Sequence, residues 1–361
     1  MIRIDKSALL PALAHVAGCA DARAATVSAT ACVRILAGDG RLVLTATDYD
    51  VSAEAVADCD GDLALLALAA KLLAVVRGLP DGATVTLSQP LSEHGSQLRI
   101  EAGRSRYHLA TLDADQFPEV DWPETDGQPL DAASWQALLA GAHCISGDDS
   151  RPAITGALLV AEGGKLSAVA TDGHRLGMAS VAFGGALAPV IVHRRAVGEL
   201  KRFAESGHVS VAVSGRNVVF SKGGQRLMCR AIEANFPDYR KVVPAKGDGS
   251  SVVVNRAALL AELARVSALG SKGEPILRLS LGPDASLCLD MATADVGNSH
   301  SEVEFEGVWT CDEIGVNPAF LRDALAAVQG DFATLQVKDS LTPVMVTGDN
   351  DGAQVCMPMR L

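Results

Sequence analysis

Asp172, His174 and Arg175 fall within four consecutive positions. A carboxylate, an imidazole and a guanidinium so spaced can serve as base, orienting group and anion clamp. The chemistry would be hydrolytic, with Asp172 and His174 in the central roles. The rest of the chain weighs against it. It contains no Gly-x-Ser-x-Gly elbow, no Walker A loop, no Gly-x-Gly-x-x-Gly after a strand and no His-Glu-x-x-His. Asp48 and Asp295 stand at matching points of similar segments without a histidine two residues on. The shared aspartate therefore reads as the residue that ends a strand.

Metal and thiol chemistry are equally thin in the sequence. Cys19, Cys32, Cys59, Cys144, Cys229, Cys288, Cys311 and Cys356 are scattered, with no Cys-x-x-Cys. His15, four residues before Cys19, has ligand spacing but no second pair to complete a site. The expectation is buried free thiols, no disulfide, no metal and no cofactor.

The elements that would position these residues recur three times. Residues 42–55 (LVLTATDYDVSAEA) return as 166–180 (LSAVATDGHRLGMAS) and, more loosely, as 287–303 (LCLDMATADVGNSHSEV), which places Asp48, Asp172 and Asp295 124 and 123 residues apart. A second track runs in step through residues 70–88, 194–214 and 317–338, each an apolar-striped helix, a turn and an alternating strand. A period near 120 residues is domain-sized, so the 361-residue chain reads as three similar domains, 1–122, 128–245 and 250–361, divided at Pro-containing stretches near 118–130 and 237–250.

Each third also opens with a capped helix: Ser7, Asp131 and Asn255 precede apolar residues at helical spacing, and Asn317-Pro318 starts the last helix. Alternating strands are expected at 84–88, 97–101, 209–213, 217–221, 278–281, 334–337 and 344–347, with hairpin loops at 37–40, 162–165 and 348–352. Two helices laid on antiparallel sheet give a two-layer α+β domain, repeated three times.

The longest apolar run, residues 63–70, is too short to cross a bilayer, and the start of the chain lacks the pattern of a signal peptide. A cytoplasmic, membrane-free protein is expected. The net charge of -12 opposes nucleic-acid binding when taken as a sum. Its distribution does not. The expected helices 69–78, 193–206, 255–269 and 317–329 carry nine bases (Lys71, Arg77, Arg194, Arg195, Lys201, Arg202, Arg256, Arg265 and Arg322) against four acids (Glu199, Glu205, Glu262 and Asp323), leaving +5 on these helices and -17 elsewhere.

Five segments in order, RGLP (77–80), GRSRYHLATL (103–112), ATDGHRL (170–176), FPDYRKVVP (236–244) and the terminal MPMRL (357–361), resemble one family over the whole chain. It is the bacterial sliding clamp, the beta subunit of DNA polymerase III. The resemblance implies a DNA-clamp fold in which two chains close head to tail into a ring of six domains, sheets outside and helices lining the hole. Such a ring encircles double-stranded DNA without sequence specificity and has no active site of its own. It confers processivity by tethering the DNA polymerase III alpha subunit, the clamp loader and repair polymerases through short peptide motifs. A positive lining inside a negative exterior suits that task, and an aromatic content of 4% leaves few stacking platforms for single strands.

Carried over residue by residue, the partner-peptide cleft comprises Ile154, Thr171, Gly173, His174, Arg175, Leu176, Pro237, Lys241, Val242, Leu341, Val355, Met357, Pro358, Met359 and Arg360. The DNA-facing set is Arg23, Lys71, Arg77, Arg151, Arg194, Arg195, Lys201 and Arg202. The homodimer interface sets Lys71, Arg104, Arg106, Tyr107 and Leu109 against Ala268, Leu269, Glu302 and Glu304, with Asp295 and Glu306 in the same acidic run. Two departures stand out. Residues 22–28 lack the family's proline, and the acidic run is thinner than usual. They keep a second reading open, a divergent, non-replicative paralogue that binds or sequesters clamp partners; a third is the hydrolase built on Asp172 and His174.

Overall fold

Alternating apolar and polar residues become antiparallel strands that bury one face, as in Thr84–Ser88 and Gln97–Ala102, while strands at the joins between repeats, such as Val51–Asp58 and Gly352–Cys356, are buried on both faces. The computed structural model describes residues 1–21, 28–90, 96–245, 247, 249–269, 276–283, 285–293 and 296–361. Among them are six α-helices: α1 (Lys6–Ala17), α2 (Ala69–Gly78), α3 (Ala132–Leu138), α4 (Arg194–Phe203), α5 (Arg256–Val266) and α6 (Pro318–Ala327). Each repeat therefore supplies two helices, as its apolar stripes require. A strand leads directly into the first helix of each repeat: Ile2–Asp5, Gln128–Asp131 and Ser250–Asn255. That strand pairs antiparallel with the strand following the repeat's second helix: Thr84–Ser88, His208–Ser214 and Phe332–Val337.

Two caps are as expected. Asn255 Oδ1 accepts from the Ala258 N–H at 2.9 Å, and Asn317 Oδ1 accepts from the Ala319 and Phe320 N–H groups ahead of Pro318. The first helix differs, beginning at Lys6 rather than after a Ser7 cap. Lys6 is drawn in, its Nζ donating to Leu79 O and to Asp81 Oδ1, while Asp5 accepts from Thr84 Oγ1 instead of capping the helix. Hairpins form at Asp39-Gly40 and Gly163-Gly164, where positive φ at both central residues matches the twist of the flanking strands.

The chain folds as two compact units whose border runs through the second repeat. Met1–Ala132 joins Gly198–Ala231, and Ala133–Val197 joins Ile232–Leu361. Strand pairing between repeats is the cause. In the first unit Val51–Asp58 pairs with Gln225–Arg230, with Glu54 opposite Arg226 and an Arg226 Nε–Glu54 Oε1 bond of 3.1 Å. In the second, Arg175–Ala182 pairs with Gly352–Cys356, setting Leu176 opposite Val355. Among the described residues, continuous ladders of thirteen and twelve strands result. The three repeats are thus units of sequence, while hydrogen bonding distributes the second between its neighbours.

Helices seal the cores. In the third repeat Leu259, Leu263 and Val266 of α5 and Leu321 and Leu325 of α6 bury against Leu277, Leu287, Leu289 and Val303. Each such side chain removed from water contributes about 1.5–3 kcal/mol before the cost of ordering the chain. All eight cysteines are free and buried. Burial pushes the Cys32 thiol up to about 11 and the Cys229 thiol up to about 12, so neither supplies a thiolate near neutral pH. No helix among the described residues is long and apolar enough to cross a membrane.

Candidate functional site

The strands Lys165–Thr171 and Arg175–Ala182 form a hairpin whose turn contains the suspected catalytic group. Asp172 Oδ1 accepts from the backbone N–H groups of His174 at 2.9 Å and Arg175 at 3.0 Å, and Asp172 Oδ2 accepts from Arg175 Nε at 2.9 Å. Thr171 Oγ1 accepts from the Gly173 N–H and donates to Arg175 O. Gly173, at φ 93°, takes a left-handed conformation that glycine adopts without strain. Thr47, Asp48 and Tyr49 repeat the arrangement: Asp48 Oδ1 accepts from Asp50 and Val51, Thr47 Oγ1 accepts from Tyr49, and Tyr49 carries the positive φ. Two copies of one turn, only one with a histidine, make Asp172 a turn cap. Asp295 lies outside the described residues.

Arg175 continues from this turn into the neighbouring helix. Its Nη1 donates to Asp323 Oδ2 at 2.8 Å and its guanidinium lies 4.5 Å from the centre of the Phe320 ring, both on α6. Burial alone would raise the Asp323 carboxyl, but hydrogen bonds from Arg175 and Arg322 outweigh it and hold the group below its ordinary value. The charged head is thereby fixed while the neighbouring Leu176 turns into an apolar hollow.

That hollow is a cavity of about 410 Å³, within the size range of small-molecule sites. Of the residues expected in a cleft, Ile154, Thr171, Gly173, Arg175, Leu176, Pro237, Val242, Val355 and Met357 line it. Beneath them Val169, Leu176, Tyr239, Met345, Ala353 and Val355 pack into one cluster, with Phe236, Val243 and Met178 against it. The Met357 N–H donates to His174 O at 2.9 Å, fixing the chain end beside the hairpin turn. An apolar floor with an adaptable methionine and a few polar groups at the edge suits an extended peptide with apolar side chains.

Arg151, Ala153, Asp238 and Tyr239 also line the cavity and were absent from the expected set. Asp238 and Tyr239 lie inside the FPDYRKVVP segment, so the signal was present. The stretch 237–250, expected to divide two domains and to lend Pro237, Lys241 and Val242 to the cleft, forms a short 3-10 turn at Tyr239–Lys241 whose tyrosine is buried. Arg151, expected to face DNA, also lines the cavity, donating from Nε to Asp148 Oδ2 at 3.0 Å and from Nη2 to Asp172 O at 3.1 Å.

The remaining expected cleft residues lie off this lining. His174 is exposed beyond the turn, and Lys241 pairs with Asp238 at 3.1 Å and lines a smaller cavity of about 170 Å³ that shares Val242. Leu341 is 79% exposed on a turn capped by Asp339. The Met359 N–H donates to Gly315 O at 2.7 Å, and Pro358 and Arg360 flank that tether.

Of the expected DNA-facing residues, Lys71, Arg77 and Lys201 are exposed and make no ion pair among the described residues. Arg77 lines a cavity of about 620 Å³ with His15, Arg202 and Lys222. Arg194 lies 2.8 Å from Asp149, Arg195 is partly buried in the first turn of α4, and Arg202 pairs with Glu199. Arg23 lies outside the described residues.

The expected interface residues occupy two strand edges and their surroundings. Arg106, Tyr107 and Leu109 lie on Ser105–Leu112, with Arg104 in the turn before it and Lys71 exposed on α2. Among the described residues, 105–110 of that strand pair on one side only, with Gln97–Ala102. Glu302 and Glu304 lie on Gly297–Val308, whose residues 297–304 pair, among the described residues, on one side only, with Ser286–Thr293. Ala268 and Leu269 are exposed in the 3-10 turn after α5.

Comparison with known proteins covers the whole chain. Residues 1–121, 137–238 and 240–360 match the N-terminal, central and C-terminal domain models of the DNA polymerase III beta subunit. The beta sliding clamp of Caulobacter vibrioides is 32% identical with all of both chains covered, and that of Escherichia coli K12 is 29% identical over 90% of each. Among solved structures, a Caulobacter crescentus beta sliding clamp aligns with a TM-score of 0.89 at 30% identity, covering 100% of this chain and 98% of its own. A Pseudomonas aeruginosa sliding clamp bound to griselimycin aligns with a TM-score of 0.89 at 29% identity, covering 99% of each.

Proposed function

We propose that the chain, which belongs to the DNA polymerase III beta subunit family and is a DNA sliding clamp, closes with a second copy into a ring around duplex DNA and holds its partners at the Arg175–Leu176 cavity. The observation that carries this reading is a strand join made twice within the chain. The last strand of the second repeat pairs with Val51–Asp58 of the first, and the last strand of the third pairs with Arg175–Ala182 of the second. A third application of the rule would join Ser105–Leu112 of one chain to Gly297–Val308 of another. Among the described residues, both edges have a side without a strand partner. Arg104 and Arg106 border one, while Glu302, Glu304 and Glu306 lie on the other. Complementary edges of this kind favour pairing with a second copy over indiscriminate aggregation.

A closed ring holds DNA by topology, so phosphate contacts need only be weak and base readout is unnecessary. Exposed Lys71, Arg77 and Lys201 suit such a lining. The clamp works without an active site of its own, tethering a polymerase that does the chemistry. Its partners would be the polymerase III alpha subunit, the clamp loader and repair polymerases, each inserting an extended peptide over Leu176, Val355 and Met357. Six cavity-lining apolar side chains, Ile154, Leu176, Pro237, Val242, Val355 and Met357, support that mode of docking.

The test of the ring is a loading assay on nicked circular DNA with the clamp loader of the same cell. The loaded protein should stay on the circle and leave once the DNA is linearised. Retention on linear DNA would remove the topological reading, and failure to load would favour a sequestering paralogue. The test of the cleft is deletion of residues 357–361. Binding of a polymerase-derived peptide should be lost while dimer mass is kept, and unchanged peptide affinity would put docking elsewhere.

A further inference from the structure

The hairpin formed by Ser286–Thr293 and Gly297–Val308 carries a group of side chains that neither DNA passage nor peptide docking uses. Its register sets Cys288 directly opposite Glu302 and Asp290 directly opposite His300. Successive side chains on a strand point to opposite faces, so these four share one face. The other face is the core, where Leu287, Leu289, Met291 and Val303 are buried. A two-by-two patch of thiol, imidazole and two carboxylates is thereby assembled on the side of the sheet away from the helices.

The contacts within the patch are specific. His300 Nδ1 lies 2.8 Å from Asp290 Oδ1 and His300 Nε2 lies 3.1 Å from Glu302 Oε1. Ligand atoms of Cys288, His300 and Glu302 all fall within 4.8 Å of one another. Ser286 Oγ donates to the other Glu302 oxygen, which leaves Oε1 turned toward the imidazole. Across the next strand pair Arg278 lies opposite Asp290 and 3.5 Å from Glu313.

We infer that Cys288, His300 and Glu302 form a zinc-binding site, with Asp290 orienting the histidine. Sulfur, imidazole nitrogen and carboxylate oxygen are the donors that zinc selects over magnesium or calcium, which take oxygen alone. Zinc bonds of about 2.0–2.3 Å in a tetrahedron put donors roughly 3.5 Å apart. Closing from 4.8 Å needs side-chain rotation and no change of register. Zinc takes His300 Nε2, and Nδ1–H donates to Asp290 in the carboxylate–histidine–metal arrangement that fixes tautomer and ring orientation. Binding displaces the imidazole proton shared with Glu302 and the Cys288 thiol proton, both of which pass to solvent. Three protein ligands leave a fourth position for water. The patch occupies a face of the hairpin rather than its backbone edge, and its Glu302 also belongs to the acidic run proposed to meet a second copy, so zinc and that contact draw on the same carboxylate.

The experiment titrates the full-length, chelator-treated protein with cobalt(II), then displaces the cobalt with zinc(II). One equivalent should give tetrahedral cobalt absorption together with a thiolate-to-cobalt charge-transfer band. Cys288→Ser should abolish that band, and His300→Asn, which removes a ligand at an exposed position, should weaken binding by more than the roughly 10–100-fold typical of losing an outer partner. Asp290→Asn should keep the band and weaken binding about tenfold, as expected of an orienting group. A missing thiolate band in the wild-type protein, a band that survives Cys288→Ser, or unchanged affinity in His300→Asn would each overturn the site. Should Cys288→Ser fail to fold, the histidine and aspartate variants decide alone.

Discussion

Arg175 lies at the first position of the strand that joins the second repeat to the third, and its side chain is only 16% exposed. It bonds to Asp172, bonds to Asp323 and covers Phe320. Arg175→Ala would leave two carboxylates without their shared partner. For fully buried pairs that costs about 3–5 kcal/mol; partial exposure here reduces the expected loss to roughly 2–3 kcal/mol. The pH dependence has a definite sign. A carboxylate held below its unfolded value contributes stability that is present above an unfolded pKa near about 4 and is lost as pH falls through the folded value. Asp323 is such a group. Denaturant unfolding should therefore show the wild-type protein weakening below about pH 4, with a flatter decline in Arg175→Ala. A parallel decline in both proteins would contradict the role given to this pair.

At the scale of elements, the cleft depends on how closely a strand and a 3-10 segment approach. Gly177, in the middle of Arg175–Ala182, lies against Gly141 of the 3-10 segment Leu139–Cys144. A Cβ on Gly177 would come within 2.6 Å of Gly141 Cα and 2.7 Å of Gln354 Oε1. Since the strand is paired on both sides, with Lys165–Thr171 and Gly352–Cys356, it cannot shift cheaply. Gly177→Ala should cost about 1–3 kcal/mol and should also weaken peptide binding, because Leu176 and Val355 sit beside the forced position. Calorimetry and peptide titration on the same variant check both. Helix and strand periods, turn glycines and the caps at Asn255 and Asn317 were legible in the sequence. The start of α1 was not, because it follows from Lys6 reaching residues more than seventy positions away.

At the scale of the whole molecule, the expectation concerns two copies of the chain. If Ser105–Leu112 meets Gly297–Val308 of a second copy, alternation puts Arg106 on the same face as Glu302 and Glu304. The internal join places Arg226 and Glu54 together in the same way. Arg106→Glu should raise the dimer dissociation constant at least tenfold, about 1.4 kcal/mol, and Glu304→Lys added to it should restore much of the loss. Sedimentation over a range of protein concentrations reads both. An unshifted dimer in Arg106→Glu would place the interface elsewhere. In the proposed ring the acidic surplus of the chain would keep DNA off surfaces other than the lining.

The sequence by itself determined the threefold repeat, the α+β class, the two helices of each repeat and the family, because these depend on local periodicity and on motifs read along the chain. It also identified nine of the residues that line the cavity, since the segments bearing them kept their chemistry. Tertiary structure alone decided what lay between distant strands. It showed that the second repeat is divided between two hydrogen-bonded units, that Asp238 and Tyr239 join the cavity wall, and that Arg151 turns toward Asp148 and Asp172. It also set Cys288 against Glu302 and Asp290 against His300. Register is the physical reason for that last pairing: it depends on the pairing of whole strands, and a slip of one residue would put every side chain on the other face.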